Sequence, residues 1–108
     1  MTDFIELLRK IWDGIKKIFL KIVDFAKNIV SFFKDPQRLK KLQEEKNTIA
    51  VTIKENLNNE NYHVVNCLYN VETDEIVDME TDALGMDAES LDEETKQHFG
   101  DKDMIVLN

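Results

Sequence analysis

A single hydrophobic stripe over the first thirty-four residues constrains the fold of this chain more than any other feature. Its members alternate steps of four and three positions: Phe4, Leu8, Ile11, Ile15, Ile18, Ile22, Phe25, Ile29 and Phe32. A repeat of 3.5 residues is typical of the contact seam of a long amphipathic helix. We predict that this helix begins at Thr2 or Asp3 and ends at Asp35, because the residue before a proline avoids helical geometry.

The apolar arc of this helix is wider than the seam, and lysine side chains occupy its opposite face. We define the predicted contact face as twelve residues: Phe4, Leu8, Ile11, Trp12, Ile15, Ile18, Phe19, Ile22, Phe25, Ile29, Phe32 and Phe33. A wide arc suits a bundle of three or more helices, or a helix that is covered on two sides. Lysines opposite Trp and Phe side chains are also what a helix lying on a membrane surface requires.

The length of the predicted helix indicates that it needs a cover beyond the rest of the chain. A straight helix over residues 3–34 is about 48 Å long, whereas a body formed by the remaining residues is about 29 Å across. Each buried seam residue gains about 1.5–3 kcal/mol, so the overhanging stripe is too apolar to stay in water. Three arrangements satisfy this constraint: a bend at Gly14, packing against another chain, or contact with a bilayer.

The charge of the chain is divided between its two parts. Residues 1–41 hold ten basic and five acidic side chains, whereas residues 42–108 hold four lysines and seventeen acidic side chains. The whole chain has a formal net charge of −8. The strongly acidic part argues against direct nucleic-acid binding. It could instead imitate a phosphate backbone and occupy a nucleic-acid-binding or nucleotide-binding protein.

Residues 36–57 carry two competing patterns. Their apolar residues fall at helical spacing after a cap at Asp35: Leu39, Leu42, Ile49, Ile53 and Leu57. The segment 48–54 also alternates as a strand does and is rich in β-branched residues. We predict a helix over 36–57, because the good helix formers at 43–46 contain no turn signal. The sequence leaves open whether residues 48–54 are helix or strand.

The rest of the chain predicts a hairpin, a short helix and a final strand. In order, the elements are a strand over 62–71, a return strand over 75–79, an acidic connection over 78–87, a helix over 91–99 and a strand over 104–107. Ser90 and Glu93 form the capping box of the helix, and Gly100 ends it. We expect the final strand to join the hairpin.

These elements predict an α+β fold with two parts. The first part, residues 1–35, is a long amphipathic helix that serves for oligomerisation or contact with a membrane surface. The second part, residues 36–108, is a small acidic α-β-β-α-β domain with a short antiparallel sheet. We expect this second part to fold without the first, because its local signals agree with one another.

The sequence shows no pattern that indicates catalysis, a cofactor or a metal. The chain has only three glycines and no glycine-rich phosphate loop. His63 and Cys67 lie four residues apart on one predicted strand, but two ligands fall short of the four of a structural zinc site. A single cysteine excludes an internal disulfide and favours a reducing compartment, so we expect a cytoplasmic protein. We predict no catalytic residues, no cofactor and no metal.

The predicted function is that of a non-enzymatic interaction protein that forms homo-oligomers through the predicted contact face, as a coiled coil or bundle. One alternative is a peripheral membrane protein anchored by an interfacial N-terminal helix. The other is an acidic decoy that inhibits a nucleic-acid-binding or nucleotide-binding protein. The regular seam favours the first reading, the lysine face favours the second, and the acidic body favours the third.

Overall fold

A computed structural model describes residues 3–107 as one α+β unit built on a six-stranded mixed sheet. The strands are β1 (Lys16–Val23), β2 (Thr48–Asn56), β3 (Tyr62–Asn70), β4 (Glu75–Val77), β5 (Leu84–Leu91) and β6 (Met104–Leu107). The helices are α1 (Phe4–Ile11), α2 (Ser31–Phe33), α3 (Pro36–Glu44) and α4 (Glu93–Phe99). A 3₁₀ turn (Trp12–Gly14) follows α1, and a π-helical segment (Phe25–Val30) precedes α2. The predicted α+β class is confirmed, but the predicted short antiparallel sheet is wrong, because the sheet has six strands and includes the parallel β1–β5 pair.

The sheet has β3 at its centre and β1 at one edge. The strand order is β1-β5-β3-β2-β6, and β4 pairs with the part of β3 that β5 leaves free. The β1–β5 pair is parallel, and the other four pairs are antiparallel. The predicted final strand at 104–107 is confirmed, but it pairs with β2 and not with the β3–β4 hairpin.

Helices cover both faces of this sheet, so the protein has two hydrophobic cores. On one face α1 packs over a cluster that includes Leu8, Ile11, Val51 and Val65. On the other face the π-helical segment, α2 and α4 cover a second cluster. The principal residues of that second cluster are Val23, Phe25, Ile29, Phe33, Val64, Leu68, Met86, Ala88, Leu91 and Phe99. Burial on both faces explains why the central strands read as nearly continuous apolar runs.

The prediction of one long N-terminal helix is wrong. Helix α1 is capped by Asp3, whose carboxylate accepts hydrogen bonds from the N–H groups of Ile5 and Glu6. It ends at Ile11, and Gly14 is the last residue of the following turn. The alternative start at Thr2 lies outside the described residues. The chain then runs as strand β1, because pairing with β5 satisfies the backbone groups along one side of the strand and lets Ile18 and Leu20 pack against the core.

The π-helical segment is held to the sheet by a buried polar chain. The side-chain amide of Asn66 on β3 donates to the carbonyl oxygen of Asn28 over 2.8 Å. The Thr52 hydroxyl on β2 donates in turn to the Asn66 side-chain oxygen over 2.9 Å. Asn66 and Thr52 are fully buried, so these hydrogen bonds remove the cost of two polar groups placed in an apolar core.

The prediction of a helix over 36–57 is also wrong beyond residue 44. Its start is confirmed, since the Asp35 carboxylate caps α3 and Pro36 is the first helical residue. Residues 48–56 form strand β2, which pairs with β3 on one side and with β6 on the other. The alternating β-branched pattern therefore describes this segment correctly. The ladder hydrogen bonds and the burial of both faces outweigh the helix propensity of residues 43–46.

The structure confirms the predicted hairpin and adds a strand that the sequence analysis missed. Strand β3 and the shorter return strand β4 match the predicted hairpin. The segment predicted as an acidic connection contains the start of β5, whose Gly85, Met86 and Ala88 are buried. The last helix is capped by Asp92 and not by Ser90, and it ends at Gly100, whose φ of 60° favours glycine.

The shared sheet leads us to expect that residues 36–108 do not fold alone. That fragment lacks β1, the edge partner of β5, and it lacks α1 over one face and the π-helical segment and α2 over the other, so α4 is left to cover part of one core. A fragment spanning 36–108 should give a collapsed amide proton spectrum under conditions in which the full chain gives a dispersed one. A dispersed spectrum from the fragment would show instead that the division at residue 35 separates two folding units.

Candidate interaction edge

The structure distributes the predicted contact face over both sides of the sheet and leaves two of its residues exposed. Five members lie in or against the α1-side core: Phe4, Leu8, Ile11, Trp12 and Ile15. Five lie in or against the opposite core: Ile18, Phe25, Ile29, Phe32 and Phe33. Trp12 is half-buried and stacks on His63 with ring centroids 3.8 Å apart. The two that remain in solvent are Phe19, which is 67% exposed, and Ile22, which is 48% exposed.

Strand β1 presents an open hydrogen-bonding edge within the described part of the chain. The carbonyl oxygen of Lys21 accepts from the Ser90 hydroxyl, and that of Val23 accepts from the Asp92 N–H, so both point toward β5. Backbone groups alternate in direction along a strand. Ile18 and Leu20 pack on the same core as Val23, so their N–H and C=O groups also point toward β5, whereas those of Phe19 and Ile22 point away. The regular alternation is interrupted at Lys21, which has no counterpart in the β1–β5 register. No other strand within residues 3–107 pairs with this side.

The side chains of β1 also alternate between the two faces. Phe19 lies beside Asp87 of β5, and Asp87 lies beside His63 of β3. Because His63 stacks on Trp12 at the end of α1, Phe19 belongs to the α1 face of the sheet. Ile18 and Leu20 pack against the opposite core. Val23 packs in that opposite core as well, so its neighbour Ile22 projects to the α1 face. The edge thus offers Phe19 and Ile22 on the same face.

Three lysines give the β1 edge a local positive charge in an otherwise acidic chain. The Lys17 ammonium donates to the carbonyl oxygens of Trp12 and Ile15, over 2.9 and 3.2 Å, at the end of the 3₁₀ turn. Lys16 and Lys21 are exposed and form no ion pair with any residue that the structure describes. Lysines on an edge strand oppose indiscriminate sheet growth, so only a partner that tolerates these charges can add a strand here.

A second group of charged residues has a structural explanation. Arg38 on α3 forms an ion pair with Asp82, with Nε and Oδ1 3.2 Å apart, and Lys41 forms ion pairs with Asp82 and Asp78. Hydrogen bonds to Asp78 and Asp82 raise the pKa of Lys41. Arg38 also stacks over the Phe32 ring at 3.8 Å. These contacts fix the acidic loop before β5 against α3.

His63 and Cys67, which lie four residues apart on β3, do not form a reactive site in this structure. Cys67 is fully buried in the α1-side core, and burial raises the pKa of its thiol to about 12. A thiol in such surroundings is a poor nucleophile and a poor metal ligand. Among residues 3–107, no three His, Cys, Asp or Glu side chains converge as a metal site requires.

Helices of the described residues are all too short or too polar to cross a bilayer.

Comparisons of the chain with known protein families, with curated proteins and with solved structures give no match in any of the three. The function of the chain is therefore inferred from its own geometry.

Sequence reasoning found the exposed residues of the β1 edge but assigned them to the wrong element. Ile18 and Ile22 are four positions apart, a spacing that fits one face of a strand as well as one face of a helix. The sequence signal that favours a strand over a helix here is the alternation of apolar Ile18, Leu20 and Ile22 with Lys17 and Lys21. That pattern is interrupted by Phe19, so the strand was hidden within the helical repeat.

The contact between β5 and the turn after α1 predicts a steric effect at Gly85. A Cβ atom there would lie 2.9 Å from Trp12 and 3.0 Å from the Lys17 side chain. Gly85→Ala should lower the free energy of unfolding by about 1–3 kcal/mol, because the added methyl group would overpack the core. Urea unfolding followed by Trp12 fluorescence would measure the change and report displacement of the indole.

The matched control for this substitution is Gly14→Ala. A Cβ at residue 14 meets only the terminal methyl of Met79, at 3.3 Å, and that methyl group can move. We expect Gly14→Ala to change the free energy of unfolding by no more than about 0.5 kcal/mol. Equal losses in the free energy of unfolding for Gly85→Ala and Gly14→Ala would contradict the close packing of Trp12 on Gly85.

Proposed function

We propose that this protein is a non-enzymatic interaction protein that self-associates through its N-terminal segment, with the free edge of β1 as the contact surface. The observation that carries the proposal is the outward-facing backbone of Phe19 and Ile22 together with the exposed side chains of these two residues. An open strand edge with exposed apolar groups is a template for pairing with another strand.

The length of the edge supports a specific but modest association. Strand β1 has eight residues, a long edge for a chain of this size, and its lysines limit what can pair with it. Pairing would satisfy backbone groups that otherwise bond only to water, and it would cover part of Phe19 and Ile22. A contact confined mainly to one strand per partner buries less than a standard protein interface, so we expect association in the micromolar range.

This proposal replaces the helical seam as the means of self-association. The contact face predicted from the sequence is largely consumed inside the chain, where it builds the two cores on either side of the sheet. The part of the predicted contact face that stays available to a partner is Phe19 and Ile22, which are exposed on β1.

The two alternative functions have less support from the geometry. The membrane alternative requires one continuous amphipathic helix, and the described N-terminal segment is a short helix followed by a strand. A basic edge that includes Phe19 could still contact anionic lipid, and flotation of the full chain with anionic vesicles would reveal it. The acidic-decoy alternative rests on the charge of residues 42–108 and stays a prediction.

The mass of the full chain in solution tests self-association directly. Light scattering over a micromolar concentration series should show the mass rising from the monomer value of 12.7 kDa toward twice that value. Ile22→Lys adds a charge to the edge and should weaken association about tenfold or more. Circular dichroism and thermal unfolding of the variant should stay close to those of the unmodified chain, because Ile22 is about half exposed and belongs to neither core.

Val106→Lys is the matched control for this experiment. Val106 is 43% exposed on β6, at the opposite edge of the sheet, so it resembles Ile22 in chemistry and exposure. We expect this variant to associate as the unmodified chain does. A monomeric mass for the unmodified chain would overturn self-association. Loss of association in Val106→Lys alone would place the contact at the β6 edge and not at the β1 edge.

A further inference from the structure

We infer that the second copy of the chain reaches from the β1 edge onto the adjoining surface of β5, where Lys21 of each copy meets Asp87 and Glu89 of the other. This inference rests on the self-association proposed above and names the surface that each copy presents. Each copy supplies both the lysine and the carboxylates, so one two-fold axis completes the contact and the assembly stops at two copies.

The side of the sheet that carries α1 is open beside β1. The core cluster beneath α1 contains residues of β2 and β3 but none of β1 or β5. The Trp12 ring covers this side at Gly85, near the start of β5. Further along the two strands, Phe19 and Ile22 are exposed on the same side. A second copy that meets the β1 edge can therefore also cover this apolar pair.

Two carboxylates of β5 adjoin these apolar side chains. Asp87 lies directly beside Phe19 in the β1–β5 register, and Glu89 follows two positions further along β5. Neither forms an ion pair with any residue within the described range 3–107. A partner that covers Phe19 also removes water from Asp87, and a carboxylate without a partner is costly to bury. The partner therefore has to supply a positive charge next to an apolar surface.

A second copy supplies both of these groups. Lys21 lies between Phe19 and Ile22 along β1, and it is exposed. When two copies meet, the lysine of each can pair with the carboxylates of the other while the apolar side chains come together, so the patch is complementary to itself. An anionic lipid surface fits the same patch less well, because Asp87 and Glu89 would be repelled by it.

The irregular backbone of β1 is a further reason for contacts beyond the edge. The backbone groups that point away from β5 include those of Phe19 and Ile22, whereas a regular ladder uses every second residue. The interruption lies at Lys21, which has no counterpart in the β1–β5 register. A strand added here cannot form a continuous ladder, so side chains on the adjoining surface have to contribute to a stable contact.

Charge reversal at one position of each sign tests this contact in the full chain. Lys21→Glu would place a carboxylate against Asp87 and Glu89 of the other copy, and Glu89→Lys would place an ammonium group against Lys21. Each change acts twice in a two-fold dimer, so we expect each to weaken association about tenfold. Light scattering over a micromolar concentration series measures the loss. Circular dichroism should stay that of the unmodified chain, because both side chains are exposed.

A chain that carries both reversals should recover association to within about threefold of the unmodified chain, because opposite charges meet again. Lys21 and Glu89 also lie at the same level within one chain, since their neighbours pair as Leu20 with Ala88 and Ile22 with Ser90. Recovery in the doubly reversed chain could therefore arise within a chain or between chains. An equimolar mixture of the two single variants distinguishes these causes.

In a mixed dimer the carboxylate introduced at position 21 faces the ammonium group introduced at position 89, and the unmodified Glu89 and Lys21 face each other at the second site. Within each chain the like charges remain. We expect the mixture to form mixed dimers about as tightly as unmodified copies associate. Recovery in the doubly reversed chain without recovery in the mixture would show that the charges act within one chain, and it would overturn this inference.

Glu94→Lys is the matched control for Glu89→Lys. It changes the net charge by the same amount at an exposed position on α4, which covers the opposite side of the sheet. We expect this variant to associate as the unmodified chain does. A loss equal to that of Glu89→Lys would assign the effect to the net charge of the chain and would count against the proposed contact.

The remaining outcomes separate this contact from the association on which it depends. Unchanged association in both Lys21→Glu and Glu89→Lys, with loss in Ile22→Lys, would confine the contact to the β1 edge and overturn this inference while leaving self-association intact. A monomeric mass for the unmodified chain would overturn the proposed function itself. Flotation of such a monomer with phosphatidylserine vesicles, lost in Lys21→Glu, would assign the patch to a lipid surface.

Discussion

The parallel pairing of β1 with β5 is the interaction on which the rest of the structure depends. It converts the middle of an apparently helical segment into an edge strand, with Lys16 beside Leu84 and Val23 beside Leu91. Because the chain passes through this strand, the segment before it covers one face of the sheet and the segment after it covers the other. Without the pair, β5 would become an edge and both cores would lose one wall.

The residues of the hydrophobic stripe are mostly buried, as the sequence indicated, but they belong to helical and strand segments and so do not follow one helical period. A step of four positions keeps a residue on the same face in either a helix or a strand, whereas a step of three changes face in a strand. The step from Ile15 to Ile18 is where the stripe changes sides, since Ile15 belongs to the α1-side core and Ile18 packs against the other. Tertiary pairing decided between the two periods, and the local periodicity of the segment does not reveal which strand it pairs with. The same reason explains residues 48–56, where strand alternation was visible but β3 and β6 supplied the deciding hydrogen bonds.

Features that depend on a few neighbouring residues were easier to predict. The caps at Asp3 and Asp35, the end of α4 at Gly100 and the β3–β4 hairpin each follow from local chemistry, and the structure has all of them. Strand β5 was missed because its acidic residues resemble a solvated loop. Its burial comes from Gly85, which admits Trp12, and from small or flexible side chains such as Ala88 and Met86. The candidate interaction edge was predicted only in part, since its residues were named but their element was wrong. An open edge can be recognised only after the strand order is known.

Both the two-sided core and the open edge require residues 16–23 to be a strand paired with β5, and backbone chemical shifts of the full chain in solution test that requirement most directly. The predicted result is helical Cα and Cβ shifts over residues 4–11, strand shifts over 16–23, and nuclear Overhauser contacts between the backbones of β1 and β5. Helical shifts that run without interruption from residue 4 to residue 33 would contradict it, and the β1 edge would then not exist.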